Sequence, residues 1–200
     1  MRDDSLRAQL AGAPPYHLFH PRIAAHPGPA VVLGCLNWDP YCHEMRRLGK
    51  RLIGFDPQTT VSLPGVEHIA AVVTPFRGTL DIHGADGGAS LMWYHLPKIG
   101  EVRSITIEDV LAAAGGDIAG VQMNVEGGEG YILLSMKHPW ADQMTVAFHD
   151  RPGLDPFIPS ARDALIAHLD QWYDCCRLTS MAENDWWFFL RRNDAKGNGA

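Results

Sequence analysis

The chain has no apolar run approaching the roughly 18 to 20 residues that a bilayer-spanning helix requires, which excludes a helical membrane span. It also lacks an excess of basic residues. With a net charge of −6 and a pI near 5.9, it carries no general affinity for nucleic acid or anionic membranes. Cysteine is scarce: Cys35, Cys42, Cys175 and Cys176 form no CxxC pair, and two adjacent cysteines are poorly placed to bridge to each other. Free thiols in a reducing, cytoplasmic setting are expected. The opening residues, Met1-Arg-Asp-Asp-Ser-Leu, have neither the basic start nor the apolar core of a signal peptide. Internal repeats and domain linkers are missing too. So is a glycine-rich phosphate loop, because no glycine follows Gly34 until Gly49. That turn is no cradle for a pyrophosphate, which argues against NAD or FAD.

What remains is the composition of one ordinary globular domain, 46% hydrophobic and 20% charged over 200 residues. Residues 1–29 read as a short helix (5–11) and a proline-rich lead-in, expected to pack over a site mouth. His17, His20 and His26 lie here without a cysteine or carboxylate at ligand spacing, so no metal site is expected from them. Residues 30–192 read as a single domain, and the tail from 193 to 200 as disordered. Residues 30–36 form a buried strand by length and composition. Asp39 and Pro40 cap and open a helix that Gly49 stops. Residues 51–55 and 67–73 are the next strands. Two further strands, about 78–84 and 89–95, flank the turn signal Asp86-Gly87-Gly88. A short strand at 102–105 precedes a helix at 107–114, opened by a capping box from Thr106 to Asp109. Strands at 119–125 and 143–148, a helix at 160–173 and a hairpin of 176–181 with 186–191 complete the pattern. Alternating strands and helices predict an α/β fold, a mostly parallel Rossmann-like sheet with an antiparallel C-terminal hairpin.

The most informative stretch runs from Val121 to Met136. An apolar strand breaks at Gly127-Gly128 and continues as a helix, with Asn124, Glu126 and Glu129 in the turn. Ligands of open α/β sheets sit at the carboxyl ends of strands, where such polar groups gather. Glu129 also has a plainer reading, as an acid complementing the first turn of a helix. Asp56 ends the second strand 22 positions after Gly34, where Rossmann-like folds hold ribose hydroxyls. Its plainer reading is a turn-forming Asp-Pro. A ligand with adenosine but no phosphates asks less of the 34–40 loop, which points to S-adenosylmethionine.

Taken in order, these segments resemble the FkbM family of methyltransferases. Ala30-Val-Val-Leu-Gly with Asn37 resembles the family's first strand and loop, and Gly54-Phe-Asp-Pro57 its Phe-Glu-Pro. Ile69-Ala-Ala-Val-Val with Gly78-Thr-Leu is similar to its Ala-Val-Ser…Gly stretch. Ser104-Ile-Thr-Ile-Glu-Asp-Val-Leu111 is similar to its Thr-Leu-Asp-Asp-Leu-Leu segment. Val121-Gln-Met-Asn-Val-Glu-Gly-Gly-Glu129 resembles Leu-Lys-Ile-Asp-Val-Glu-Gly-Ala-Glu, and Val146-Ala-Phe-His149 resembles Ile-Glu-Phe-His. Five positions depart from the pattern. The Asp and two Gly of the first motif fall on Gly34, Leu36 and near Pro40, Asn124 replaces an Asp, and Ala147 replaces a Glu.

The resemblance implies a class I methyltransferase sheet and S-adenosylmethionine as cofactor, with methyl transfer to an oxygen of a small molecule or sugar. It implies cofactor contacts at Gly34, Asn37, Asp56, Ala71 and Asn124. His149 is the candidate base, with Glu126 and Asn124 beside it. Glu129, Trp93 and His95 are candidate substrate contacts. Asn124, Glu126 and His149 sharing a divalent cation is a lesser alternative. The departures in the 34–40 loop leave open a binding module that keeps the fold without normal cofactor binding. An Asp at a strand end also suits a transferase using a metal-held sugar nucleotide.

Overall fold

Seven strands make the central sheet in a computed structural model, which describes residues 4–13, 17–34, 40–57, 64–85, 88–90, 96–149, 159–180 and 184–193. The chain begins with α1 (Asp4–Ala8), the strands β1 (Ala11–Ala13) and β2 (His17–Phe19), and a 3-10 helix at Pro21–Ala25. Then come β3 (Ala30–Leu33), α2 (Pro40–Arg47), β4 (Leu52–Asp56) and β5 (Val66–Ala70). A small second sheet follows from β6 (Val72–Val73), β7 (Gly78–Ala85), β8 (Gly88–Ser90) and β9 (Lys98–Ile105). The chain returns through α3 (Ile107–Ala114), β10 (Gly120–Met123), α4 (Glu129–Leu134) and β11 (Gln143–His149). It ends with α5 (Pro159–Leu169), β12 (Tyr173–Ser180) and β13 (Asn184–Arg191).

The central sheet has the order β12-β13-β11-β10-β3-β4-β5. Its last five strands, from β11 to β5, are mutually parallel, while β13 pairs antiparallel with both β11 and β12. This is the mixed α/β architecture with a large, mostly parallel sheet that the alternating pattern predicts. Chain order runs outward from β3 to β4 and β5, then reverses to β10 and β11. The reversal between β3 and β10 is a switch point of the doubly wound kind.

Both faces are covered, as parallel strands require. On one face Val31, Leu33, Ile53, Phe55, Val121, Met123 and Val146 pack with residues of α3, α4 and α5. On the other, Ala30, Val32 and Leu52 meet Tyr41 and Met45 of α2 together with Phe19 and Ile23. Strand residues Gln122, Gln143 and Thr145 are buried and polar, and the lead-in supplies their partners. Gln122 Oε1 meets His17 Nδ1 at 3.3 Å, Thr145 Oγ1 donates to the Leu18 carbonyl, and the His20 N–H donates to Gln143 Oε1 at 2.7 Å. The lead-in therefore folds as strands and a 3-10 helix along the sheet face rather than as an extended strap. Its α1 reaches closer to the strand ends, where Leu6 packs with Ala147, Leu178 and Trp186.

Several boundaries differ from those read in the sequence, the first helix ending at Ala8 and not at 11 among them, and three of the differences have a plain physical reason. The strand expected at 67–73 divides at Ala71: Ala70 pairs with Asp56 in the central sheet, while Val72 pairs with Ser104 in the small one. An apolar run carries no mark of such a change of partner. The short strand at 102–105 extends back to Lys98. Exposed Lys98, Ile99 and Glu101 hid that part, which pairs with β7 on an open face. The helix expected to reach 173 stops at Leu169, and Tyr173 starts β12 with its hydroxyl donating to the Ala141 carbonyl at 3.0 Å. The capping box of α3 forms as expected, with the Thr106 N–H donating to the Asp109 carboxylate at 3.0 Å.

Candidate functional site

Consecutive carboxyl ends of the parallel strands bring five of the expected residues to one edge of the sheet. Ala71 follows β5, Asp56 ends β4, Gly34 follows β3, Asn124 follows β10 and His149 ends β11. Ladder bonds continue across the switch point: the Gly34 N–H donates to Phe55 O and the Asn124 N–H to Leu33 O, both at 2.9 Å. Here the two strands come very close. A Cβ on Gly34 would stand 1.9 Å from the Asn124 carbonyl oxygen, and Gly34 has φ +78, so only glycine fits. Asp56 is 4% exposed and Ala71 fully buried. Asn37, Trp93 and His95, also expected at the site, lie outside the described residues.

After Asn124 the chain turns sharply. Glu126 has φ +55, a left-handed conformation that costs a side-chain-bearing residue about 1 to 2 kcal/mol. Gly127 follows at φ +104. The turn is held by Glu129, the first residue of α4. Its Oε1 accepts from the Val125 N–H at 3.0 Å and its Oε2 from the Gly127 N–H at 3.1 Å. Glu129 is 2% exposed and engaged by the turn it braces. The helix-start reading of this acid is the one its geometry follows.

Glu129 Oε1 also accepts from His149 Nδ1–H at 2.8 Å. The other ring nitrogen, Nε2, faces Glu126 Oε1 at 3.5 Å, an ion-pair contact too long for a good hydrogen bond. The ring is 3% exposed. Burial lowers the imidazole pKa, but the two carboxylates outweigh it and raise the pKa to about 10. At neutral pH the cluster therefore holds one imidazolium between two glutamates. With both ring nitrogens protonated, His149 has no unshared pair to offer a substrate. Asn124 Oδ1 is buried without a hydrogen-bond partner. Among the described residues no three His, Cys, Asp or Glu side chains are grouped to hold a metal ion.

Sequence reasoning found the residues of this cluster but not their wiring. The Glu-Gly-Gly-Glu spacing places Glu129 one turn after the strand, where its carboxylate folds back onto the turn amides. The left-handed backbone at Glu126 and the approach of Gly34 to Asn124 leave no mark in the sequence beyond the glycines beside them. A neighbouring cluster also escaped it. Asp185, 3% exposed on β13, accepts from Arg162 on α5, from Arg177 Nε at 2.6 Å and from Trp187 Nε1 at 3.0 Å.

No protein-family model matches the chain, and no curated protein matches it in sequence. Among solved structures it is similar to a protein of Thermoplasma acidophilum, with a TM-score of 0.43 and 10% identity over 84% of this chain and 76% of that one. It is also similar to a human methyltransferase 10 domain containing protein, with a TM-score of 0.44 and 8% identity over 83% of this chain and 72% of that one. Likenesses of this degree carry no weight for activity.

Proposed function

We propose that the chain is an S-adenosylmethionine-dependent methyltransferase acting on a hydroxyl of a small molecule or sugar. The observation that carries this reading is the row of Gly34, Asp56, Ala71 and Asn124 along consecutive strand ends at the switch point. The sequence resemblance to FkbM methyltransferases falls on the same residues and supports it.

The residues present suit the cofactor. Asn124 Oδ1, buried and without a partner, is an acceptor waiting for an N–H donor such as the ammonium of a methionine moiety. Asp56 ends the second strand, where a carboxylate accepts from ribose hydroxyls. The 34–40 loop has no glycine cradle, and this cofactor has no pyrophosphate to cradle. When bound, S-adenosylmethionine supplies an electrophilic methyl carbon. The chain's own part is to orient the acceptor and to receive its proton, and most of the rate gain comes from such positioning. Glu126 and His149 are the proton-handling groups beside Asn124.

Calorimetry with S-adenosylmethionine and S-adenosylhomocysteine tests this. Both bind, and Asp56→Ala weakens both; absence of heat with either at millimolar concentration sinks the reading. The departures in the 34–40 loop favour a second reading, a binding module that keeps the fold without normal cofactor binding. It predicts no normal binding of either compound and no methyl transfer to any hydroxyl compound.

A further inference from the structure

We propose that Glu126 is the group that meets the acceptor hydroxyl and takes its proton, and that His149 is a positioning residue carrying a fixed positive charge. This assignment rests on the methyltransferase reading and settles a question it leaves open, which of the two groups faces the substrate.

Access decides first. His149 is 3% exposed, whereas the Glu126 side chain is 30% exposed. Both ring nitrogens point into protein: Nδ1–H donates to Glu129, and Nε2 is buried against Glu126. A substrate approaching the edge reaches the Glu126 carboxylate before it reaches the ring, and it meets Nε2 only by displacing Glu126. Backbone geometry points the same way. Glu126 is the one described non-glycine residue with positive φ, and Glu129 braces the turn on both sides of it through Val125 and Gly127. A strained backbone maintained by a buried carboxylate marks a position where side-chain direction matters more than local stability.

The charge arrangement completes the assignment. A proton resident on His149 between two carboxylates leaves the ring unable to accept another. Glu129 is buried and accepts from two amides and the ring, whereas the Glu126 carboxylate is the one of the pair with an exposed side. With the cofactor bound, the acceptor oxygen would bond to the methyl carbon as the S–C bond breaks and S-adenosylhomocysteine leaves, while the acceptor's O–H proton moves to a Glu126 carboxylate oxygen and from its exposed side to water. His149 starts and ends the cycle as an imidazolium, steadying the carboxylate on one side.

The test begins without cofactor. Nitrogen-15 spectra of the histidine rings of the full chain, with His149 assigned by its loss in His149→Asn, are recorded from about pH 6 to about pH 9. Both ring nitrogens of His149 are expected at imidazolium positions throughout. A neutral ring near pH 7 overturns the assignment, because His149 would then be free to act as the base. The second arm follows S-adenosylhomocysteine formed from S-adenosylmethionine with glycerol, inositol and glucose as acceptor probes. Glu126→Gln lowers that rate by about 10²- to 10⁴-fold, the usual worth of a general base. It leaves S-adenosylhomocysteine binding by calorimetry unchanged. Glu126→Gly, which suits the left-handed backbone, serves as the second variant if the amide misfolds. Full turnover in either variant overturns the assignment. Loss of S-adenosylhomocysteine binding by the unmodified chain sinks the methyltransferase reading instead, and the ring spectra still judge His149.

Discussion

Two buried charge clusters sit side by side at the carboxyl end of β11, and they are built to opposite rules. In register, Phe148 lies opposite Asp185 and His149 opposite Asn184. Around Asp185 a single buried carboxylate gathers Arg162, Arg177 and the Trp187 ring N–H, tying α5 to the β12–β13 pair. Around His149 a single buried cation meets two carboxylates. One of these contacts is too long for a good hydrogen bond, the backbone bearing it is left-handed, and a nearby amide oxygen has no partner. The first cluster spends its polar groups on holding the fold. The second keeps a left-handed backbone and an unpartnered amide oxygen, the kind of geometry expected of a site and not of a staple.

Mutation should separate the two. Asp185→Ala removes the anion between two guanidiniums and leaves Arg162, largely buried, without its partner. Stability should fall by about 3 to 5 kcal/mol in denaturant unfolding, with little effect on cofactor affinity in the fraction that stays folded. A drop below about 1 kcal/mol would place this cluster among weak surface pairs. Glu129→Ala is next. It strips the brace from the turn and one carboxylate from the ring, and should cost about 2 to 3 kcal/mol. Unlike Asp185→Ala, it should also weaken S-adenosylhomocysteine binding, because Asn124 begins the turn it braces.

Glu126→Gly should act in the other direction. Glycine adopts φ +55 without strain, so the melting temperature should hold or rise, by no more than about 1 kcal/mol in stability. Methyl transfer should be lost. A variant that gains stability while losing activity is the signature of a residue kept for function. If Glu126→Gly is strongly destabilised instead, the left-handed turn belongs with the staples.

A further separation lies in the pH dependence of stability. The His149 pKa, raised from 6.5 to about 10 in the fold, means the imidazolium contributes fully below about pH 6.5, where folded and unfolded chains both carry it. The contribution shrinks as pH rises and is gone above about 10. The melting-temperature gap between the unmodified chain and His149→Asn should therefore be widest near pH 6 and close toward pH 10. A gap that widens with pH would contradict the clamp.

The sequence carried the fold further than it carried the site. Strand and helix alternation, the Asp39-Pro40 start and the Thr106–Asp109 capping box are local signals, and they set the order of elements. Changes of partner are not local. The division at Ala71 and the extension of β9 depend on which distant strand lies alongside, and the exposed Lys98 and Glu101 look like loop residues until β7 is beside them. At the site, residue types and spacing brought Asn124, Glu126, Glu129 and His149 to notice. Which nitrogen faces which carboxylate depends on packing between β10, α4 and β11, so the imidazolium was invisible until the three were assembled. The buried Gln122 and Gln143 are similar, odd in a strand until the lead-in supplies their partners.

The central claim is that one ligand lies along the strand ends from Ala71 to Asn124. Amide chemical-shift mapping of the full chain with S-adenosylhomocysteine tests it most directly. The account predicts that Gly34, Asp56, Ala71 and Asn124 shift together and saturate at one common ligand concentration, while residues around Asp142 and Arg22 at the opposite edge stay still. Shifts confined to that opposite edge, or none at millimolar ligand, would contradict it.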